Sequence, residues 1–138
     1  MFELHPQLAR DCVSLSRLKL CEVLLMNDAT YPWIILVPER PGVSELYQLT
    51  PADRHQLMEE SAFVAQAMAQ AFTADKMNVA ALGNVVPQLH IHHIARHKND
   101  PAWPGPVWGK TAAVPYTEAE LLRTVALLEQ AFDNVLQG

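Results

Sequence analysis

The chain has 138 residues, half of them hydrophobic and 18% charged, which suits one soluble globular domain spanning residues 1–138 with a real core. Fifteen acidic against ten basic residues leave a net charge of −5, which argues against a surface that grips polymeric nucleic acid through its phosphates. A small anionic ligand remains compatible, because histidines and backbone N–H groups can bind one locally. Cys12 and Cys21 are too few and too far apart for a redox pair or a four-cysteine zinc site, and read as reduced thiols of a cytoplasmic protein. The opening MFELHPQLARD lacks the pattern of a signal peptide, and no apolar run approaches membrane-spanning length. No repeat or low-complexity tract is found.

In chain order, Cys21 to Met26 (CEVLLM) is apolar and strand-like, and Asn27-Asp28 followed by Thr30-Tyr31-Pro32 mark a turn. Trp33 to Val37 (WIILV) is aromatic and β-branched, and Pro38 stops it; the pair reads as a hairpin. A helix starts at Thr50-Pro51-Ala52-Asp53, with Thr50 as N-cap, Pro51 at the first helical position and Asp53 favoured by the helix dipole. Leu57, Ser61, Val64, Met68 and Phe72 then recur at helical spacing, a core-packing stripe.

Lys76 to Leu82 and Leu89 to Ile94 read as strands on either side of a Gly83-Asn84 corner. Asn99 to Lys110 carries three prolines and is a loop. Its Trp103 and Trp108 are candidates to cover a cleft or to pack against a second subunit. Thr117 to Glu120 opens a last helix with Leu121, Val125, Leu128, Phe132 and Val135 on one side. Strands, helix, strands, helix in that order predict an α+β fold with an antiparallel sheet.

The stretch 87-PQLHIHHIARHKND-100 holds four of the six histidines. Alternation along a strand puts Gln88, His90 and His92 on one polar face, and Leu89, Ile91 and His93 on the other. His93 therefore reads as a core-edge histidine and His97 as a loop residue; His5 and His55 have no local partner pattern and read as structural. For the polar face three chemistries stay open. His90 and His92 would chelate a metal if a distant third ligand joined them. A neutral imidazole, with an ordinary pKa of about 6.5, would attack phosphorus as a nucleophile. Or the residues only face solvent.

The flanks of this stretch resemble the histidine-triad (HIT) family of nucleotide hydrolases and transferases, whose signature is H-φ-H-φ-H-φ-φ with φ apolar. GNVVPQLHIHHIAR matches it in register from Gly83 to Arg96, with Gln88 in place of the first histidine, His90 on the central one and His92 on the third. Asn27-Asp28 before WIILVP, and Asn84 after Gly83, match further polar positions of the family. The resemblance covers roughly residues 20 to 97 and implies a HIT-like fold, with an antiparallel sheet, a long central helix and a C-terminal helix. It also implies a homodimer, a nucleotide-type substrate, and no cofactor or metal.

By the same resemblance His90 would attack an α-phosphorus and form a covalent nucleotidyl intermediate. His92 would bind phosphate, orient His90 or assist the leaving group. Asn84, Gln88 and Arg96 would contact phosphate, and Asn27 or Asp28 the ribose, while Leu25 and Ile35 would enclose the base. The substrates implied are dinucleoside polyphosphates or nucleoside phosphoramidates. Glutamine can donate a hydrogen bond to phosphate but cannot act as a general acid, so a nucleotide-binding regulatory module with little turnover is the alternative. A metal-dependent hydrolase built on His90 and His92 is the other.

Overall fold

A computed structural model describes residues 1–137. Helix α1 (Pro6–Asp11) leads into strands β1 (Cys12–Arg17), β2 (Cys21–Met26) and β3 (Trp33–Pro38). Helix α2 (Pro51–Phe72) follows a 3-10 turn at Leu46–Gln48, and then come β4 (Lys76–Ala80), β5 (Ile91–Arg96) and helix α3 (Glu118–Gln137). The strands form one sheet in the order β1-β2-β3-β5-β4, every neighbouring pair antiparallel. The expected α+β architecture is therefore present. No described helix is long and apolar enough to cross a membrane.

Alternation along the central strands divides the core into two. Val23, Leu25, Ile34, Leu36, Ile91 and Ala95 face α2 and α3, where Leu57, Val64, Met68 and Leu128 meet them. Leu24, Trp33, Ile35, Val37 and Ile94 face the other way, under Leu8, Val86, Ala102 and Val107 from α1 and the long loops. Both faces are covered, so β2, β3 and β5 are buried nearly throughout and read as continuous apolar runs. The N-cap read at Thr50 is made, its hydroxyl accepting from the Asp53 N–H at 3.1 Å, an interaction worth about 1 kcal/mol. Thr117 and Glu120 form the reciprocal box that opens α3.

Three readings of the chain needed revision. Nothing marked α1 and β1, because His5 caps α1 through Nδ1, outside the usual set of capping side chains, and β1 is a half-exposed edge strand with a bulge between Ser14 and Ser16. The strand expected over Leu89 to Ile94 begins two residues later, at Ile91. Residues before it spend their hydrogen bonds elsewhere: the Leu89 N–H donates to the Val43 carbonyl, and Gln88 binds the N-terminal segment. Last, β4 ends at Ala80 rather than at Leu82, whose carbonyl is taken by His92.

Candidate functional site

His92 lies on the loop-covered face of β5, opposite Ile35 of β3, and His90 lies just ahead of the strand. Their rings meet edge to face with centroids 4.8 Å apart. The shared face expected for these two residues survives the later start of the strand.

Their hydrogen bonds fix the tautomer of each ring. His90 Nδ1 is 2.7 Å from the Gln88 carbonyl, which can only accept, so Nδ1 carries the proton and Nε2 keeps its lone pair. His92 Nε2 donates to the Leu82 carbonyl at 2.9 Å, and His92 Nδ1 accepts the indole N–H of Trp33 at 3.0 Å. Both rings are 5% exposed or less, and burial is the main reason they resist protonation. It lowers His90, with a smaller push from His5, and takes His92 down to about 4, with help from His90 and His93. The pair is neutral at pH 7: His90 offers a free nitrogen, while His92 has both of its nitrogens bonded.

Gly83 makes this geometry possible. A Cβ there would lie 2.7 Å from the Val86 carbonyl oxygen and 3.1 Å from His90 Cε1, so the backbone approaches the imidazole as only glycine allows.

Two cavities lie near the histidines, one lined by His90 and the other by Trp33 and Trp108, which contact His92. The larger, about 410 Å³, has Trp33, Trp108, Met26 and Val107 among its apolar lining, with Asn27, Asp28 and Arg10 as polar groups. Trp108 stands edge-on to both Trp33 and His92 at 5.9 and 5.0 Å between centroids, so it ties the cleft wall to the histidine pair. The smaller, about 270 Å³, is polar and lined by Ser44, Glu45, Gly83, Asn84, Gln88 and His90 among others. Among the described residues no lysine or arginine lines it.

The residues singled out from the sequence divide accordingly. His90, Asn84 and Gln88 line the polar cavity, and Asn27 and Asp28 the aromatic one. Asp28 Oδ1 accepts from the Thr30 and Val114 N–H groups, and Asn27 Oδ1 from the Tyr116 N–H, so these side chains also hold the loop that rims the cavity. The Gln88 amide is bonded at both ends: its Oε1 accepts from the His5 N–H and its Nε2 donates one hydrogen to the Glu3 carbonyl, both at 2.8 Å.

Arg96 is not at this site. It is 1% exposed, forks onto both oxygens of Asp100, donates to Asn78 Oδ1, and lies between the rings of Tyr31 and Trp103. Position 96 shares the face of His92 but lies at the far end of β5, and the guanidinium is spent on a buried ion pair. Leu25 and Ile35 are sealed in the two halves of the core and line neither cavity; Met26, Trp33 and Trp108 do so instead.

His93 points to the helix layer as expected. It donates from Nδ1 to the Ile91 carbonyl and accepts the Ser61 hydroxyl at Nε2, 2.7 Å away. His97 bonds the Phe72 carbonyl at the end of α2. Among the described residues no three His, Cys, Asp or Glu side chains converge as metal ligands. From the sequence Trp33 reads only as the start of a buried strand and His5 only as structural, while Gly83 reads as a corner and as the first residue of the motif match, without its contact to His90.

A family model for the HIT domain matches residues 8–99. Among solved structures, a histidine triad protein from Marinobacter aquaeolei VT8 is 51% identical, with a TM-score of 0.94 over 98% of both chains. One from Sinorhizobium meliloti 1021 is 45% identical, with a TM-score of 0.92 over 94% of this chain and 96% of its own. One from Bradyrhizobium japonicum is 40% identical, with a TM-score of 0.93 over 95% and 98%. No match was found among curated proteins. With the fold, the motif register and these relatives in agreement, the chain belongs to the HIT domain family.

Proposed function

We propose that this protein is a nucleotidyl hydrolase or transferase acting at the α-phosphate of a nucleotide derivative, of the dinucleoside polyphosphate or nucleoside phosphoramidate type. The observation that carries this reading is the His90 ring. Its Nδ1–H is fixed on the Gln88 carbonyl and its neutral Nε2 is left free, which is what in-line attack on phosphorus requires. The attack yields a nucleotidyl-His90 intermediate that water then cleaves. The aromatic cavity has an apolar wall of Trp33, Trp108, Met26 and Val107 suited to a base, with Asn27 and Asp28 as polar groups for ribose hydroxyls. Asn84 and the backbone near Gly83 suit phosphate oxygens in the polar cavity. His92, held by Trp33 and Leu82, orients its neighbour.

A nucleoside phosphoramidate and a dinucleoside tetraphosphate are the substrates to offer, with protein quenched in alkaline denaturant, which spares the acid-labile N–P bond, and examined by mass spectrometry for nucleotide on His90. Turnover by the wild type and none by His90→Ala is expected; full turnover by His90→Ala ends this reading. One observation favours the second reading, a binding module with little turnover: the Gln88 amide and both nitrogens of His92 are already committed. It predicts nucleoside monophosphate binding by calorimetry with no covalent intermediate.

We further infer a homodimer in the cytoplasm. The outer edge of β4 is unpaired, and half-exposed Val79 borders an apolar groove with Leu46, Leu57 and Met58, a surface suited to a second copy of the chain. Sedimentation should show dimers, and Val79→Lys monomers. The two free thiols, Cys12 and Cys21, agree with a reducing compartment.

A further inference from the structure

The aromatic cavity has a polar edge that the ribose contacts do not account for. Arg10 and Asp11, the last two residues of α1, line it together with Asn27 and Asp28. Gln7, on the same helix, arranges both side chains. Its Oε1 accepts from Arg10 Nη2 and its Nε2 donates to Asp11 Oδ2, each at 2.7 Å. This clamp takes one of the five N–H groups of the guanidinium and one of the two carboxylate oxygens. Among the described residues Arg10 Nε, Arg10 Nη1 and Asp11 Oδ1 have no hydrogen-bond or ion-pair partner. The backbone fixes where the pair stands. Leu8 anchors α1 in the loop-side core, and the Asn27 N–H donates to the Asp11 carbonyl at 2.9 Å, so the carboxylate belongs to the residue that adjoins the ribose contacts.

A guanidinium offers only donors and a carboxylate only acceptors, and here Gln7 holds the two side by side. Guanine is the base that presents the complement: two acceptors, O6 and N7, next to two donors, N1–H and the N2 amino group. Adenine has a bare N1 and nothing at position 2, so its lone pair would face the carboxylate. No pyrimidine offers both pairs. The N2 amino group also lies on the sugar edge of guanine, where an acceptor next to the ribose contacts would meet it. We propose that the aromatic cavity selects guanine nucleotides, with Asp11 accepting from N1–H and the N2 amino group and Arg10 donating to O6 and N7. Gln7 is the positioning residue for both. This rests on the nucleotide reading above, in which the base enters the aromatic cavity, and adds the identity of that base. Hydrogen bonds in which one partner is charged are the stronger kind, so the pair discriminates even at the open end of the cavity.

The test is calorimetry on the whole protein with guanosine, inosine and adenosine 5′-monophosphates, which requires no turnover. Inosine keeps O6, N7 and N1–H and lacks only the N2 amino group. The wild type should bind the guanosine compound about 10-fold or more tighter than the other two, because a site built to hydrogen-bond a group rejects the analogue lacking it. Arg10 and Asp11 are exposed, so alanine at either leaves the core untouched. Asp11→Ala should bring the guanosine-to-inosine ratio close to one, and Arg10→Ala should shrink the inosine-to-adenosine ratio. Gln7→Ala should lower both ratios, whereas a purely structural Gln7 would scale the three affinities together. Equal affinities in the wild type, binding of none of the three, or ratios unmoved by Asp11→Ala and Arg10→Ala would overturn the assignment. Guanosine selectivity in a protein that never carries nucleotide on His90 leaves the assignment standing and removes only the transfer reading. Phosphoramidates of all three nucleosides cleaved with equal kcat/KM, and none by His90→Ala, would do the reverse.

Discussion

The indole N–H of Trp33 donates to Nδ1 of His92 across 3.0 Å, joining the first residue of β3 to the third histidine position of the motif on β5. Because His92 donates its other nitrogen to Leu82, the tryptophan selects the only neutral tautomer that satisfies both bonds. Trp33→Phe keeps the aromatic contact but leaves a buried acceptor unpaired. It should cost about 1–3 kcal/mol in urea unfolding and lower turnover with it. A loss below roughly 0.5 kcal/mol would mean that the bond adds little.

Gly83 sets the distance between backbone and nucleophile. In Gly83→Ala the new methyl meets the Val86 carbonyl and the His90 ring, so His90 must shift. A displacement of about 1 Å costs on the order of 10²-fold in rate. Steady-state kinetics should therefore show kcat falling much more than thermal stability does. Unchanged kcat would show that the loop absorbs the methyl group without moving His90.

Acid lability follows from the buried neutral rings. Burial lowers His92 and His93 to about 4, against about 6.5 in the unfolded chain. Each lowered imidazole leaves the unfolded state holding more protons as pH falls, so stability is intact above about pH 6.5 and declines toward pH 4. At pH 5 the loss is roughly 2 kcal/mol per ring. His93→Leu should narrow the difference between urea midpoints at pH 7 and pH 5, whereas an equal difference in variant and wild type would exonerate His93.

Arg96 distinguishes a structural role from the phosphate contact that the motif register suggested. Its bidentate bond holds the Asp100 carboxyl well below the usual carboxylate range, and neither side chain is more than 7% exposed. Arg96→Met should destabilise the fold by about 3–5 kcal/mol, because it strands a buried carboxylate. Asp100→Asn in the same background should recover part of that. A variant that stays stable but loses nucleotide affinity would restore Arg96 to the binding site.

Thr73 ends α2 in the left-handed region, at φ 48°, with its N–H on the Ala69 carbonyl. A β-branched residue is strained there and glycine is not, so Thr73→Gly should raise stability by up to about 1 kcal/mol. A lower melting temperature would show that the flexibility gained in the unfolded chain outweighs the relieved strain.

The sequence by itself determined the features that depend on neighbours along the chain. Side-chain alternation put His90 and His92 together and sent His93 the opposite way. Capping chemistry at Thr50 and Thr117 located both long helices, and the motif register identified the family. Even the two-residue error in the start of β5 left that assignment of faces intact, because alternation depends on parity.

Only the tertiary structure decided which of these side chains are free to act. Hydrogen-bond partners far apart in sequence settle that: Trp33 occupies His92, Glu3 and His5 occupy Gln88, and Ser61 occupies His93. Asp100 shows the same limit from closer range. It lies within one helical turn's spacing of Arg96 in sequence, yet the burial that makes their pairing structural comes from Tyr31 and Trp103 folding over it. A polar residue advertises its chemistry locally, but whether that chemistry is available depends on what the rest of the chain brings within hydrogen-bond distance.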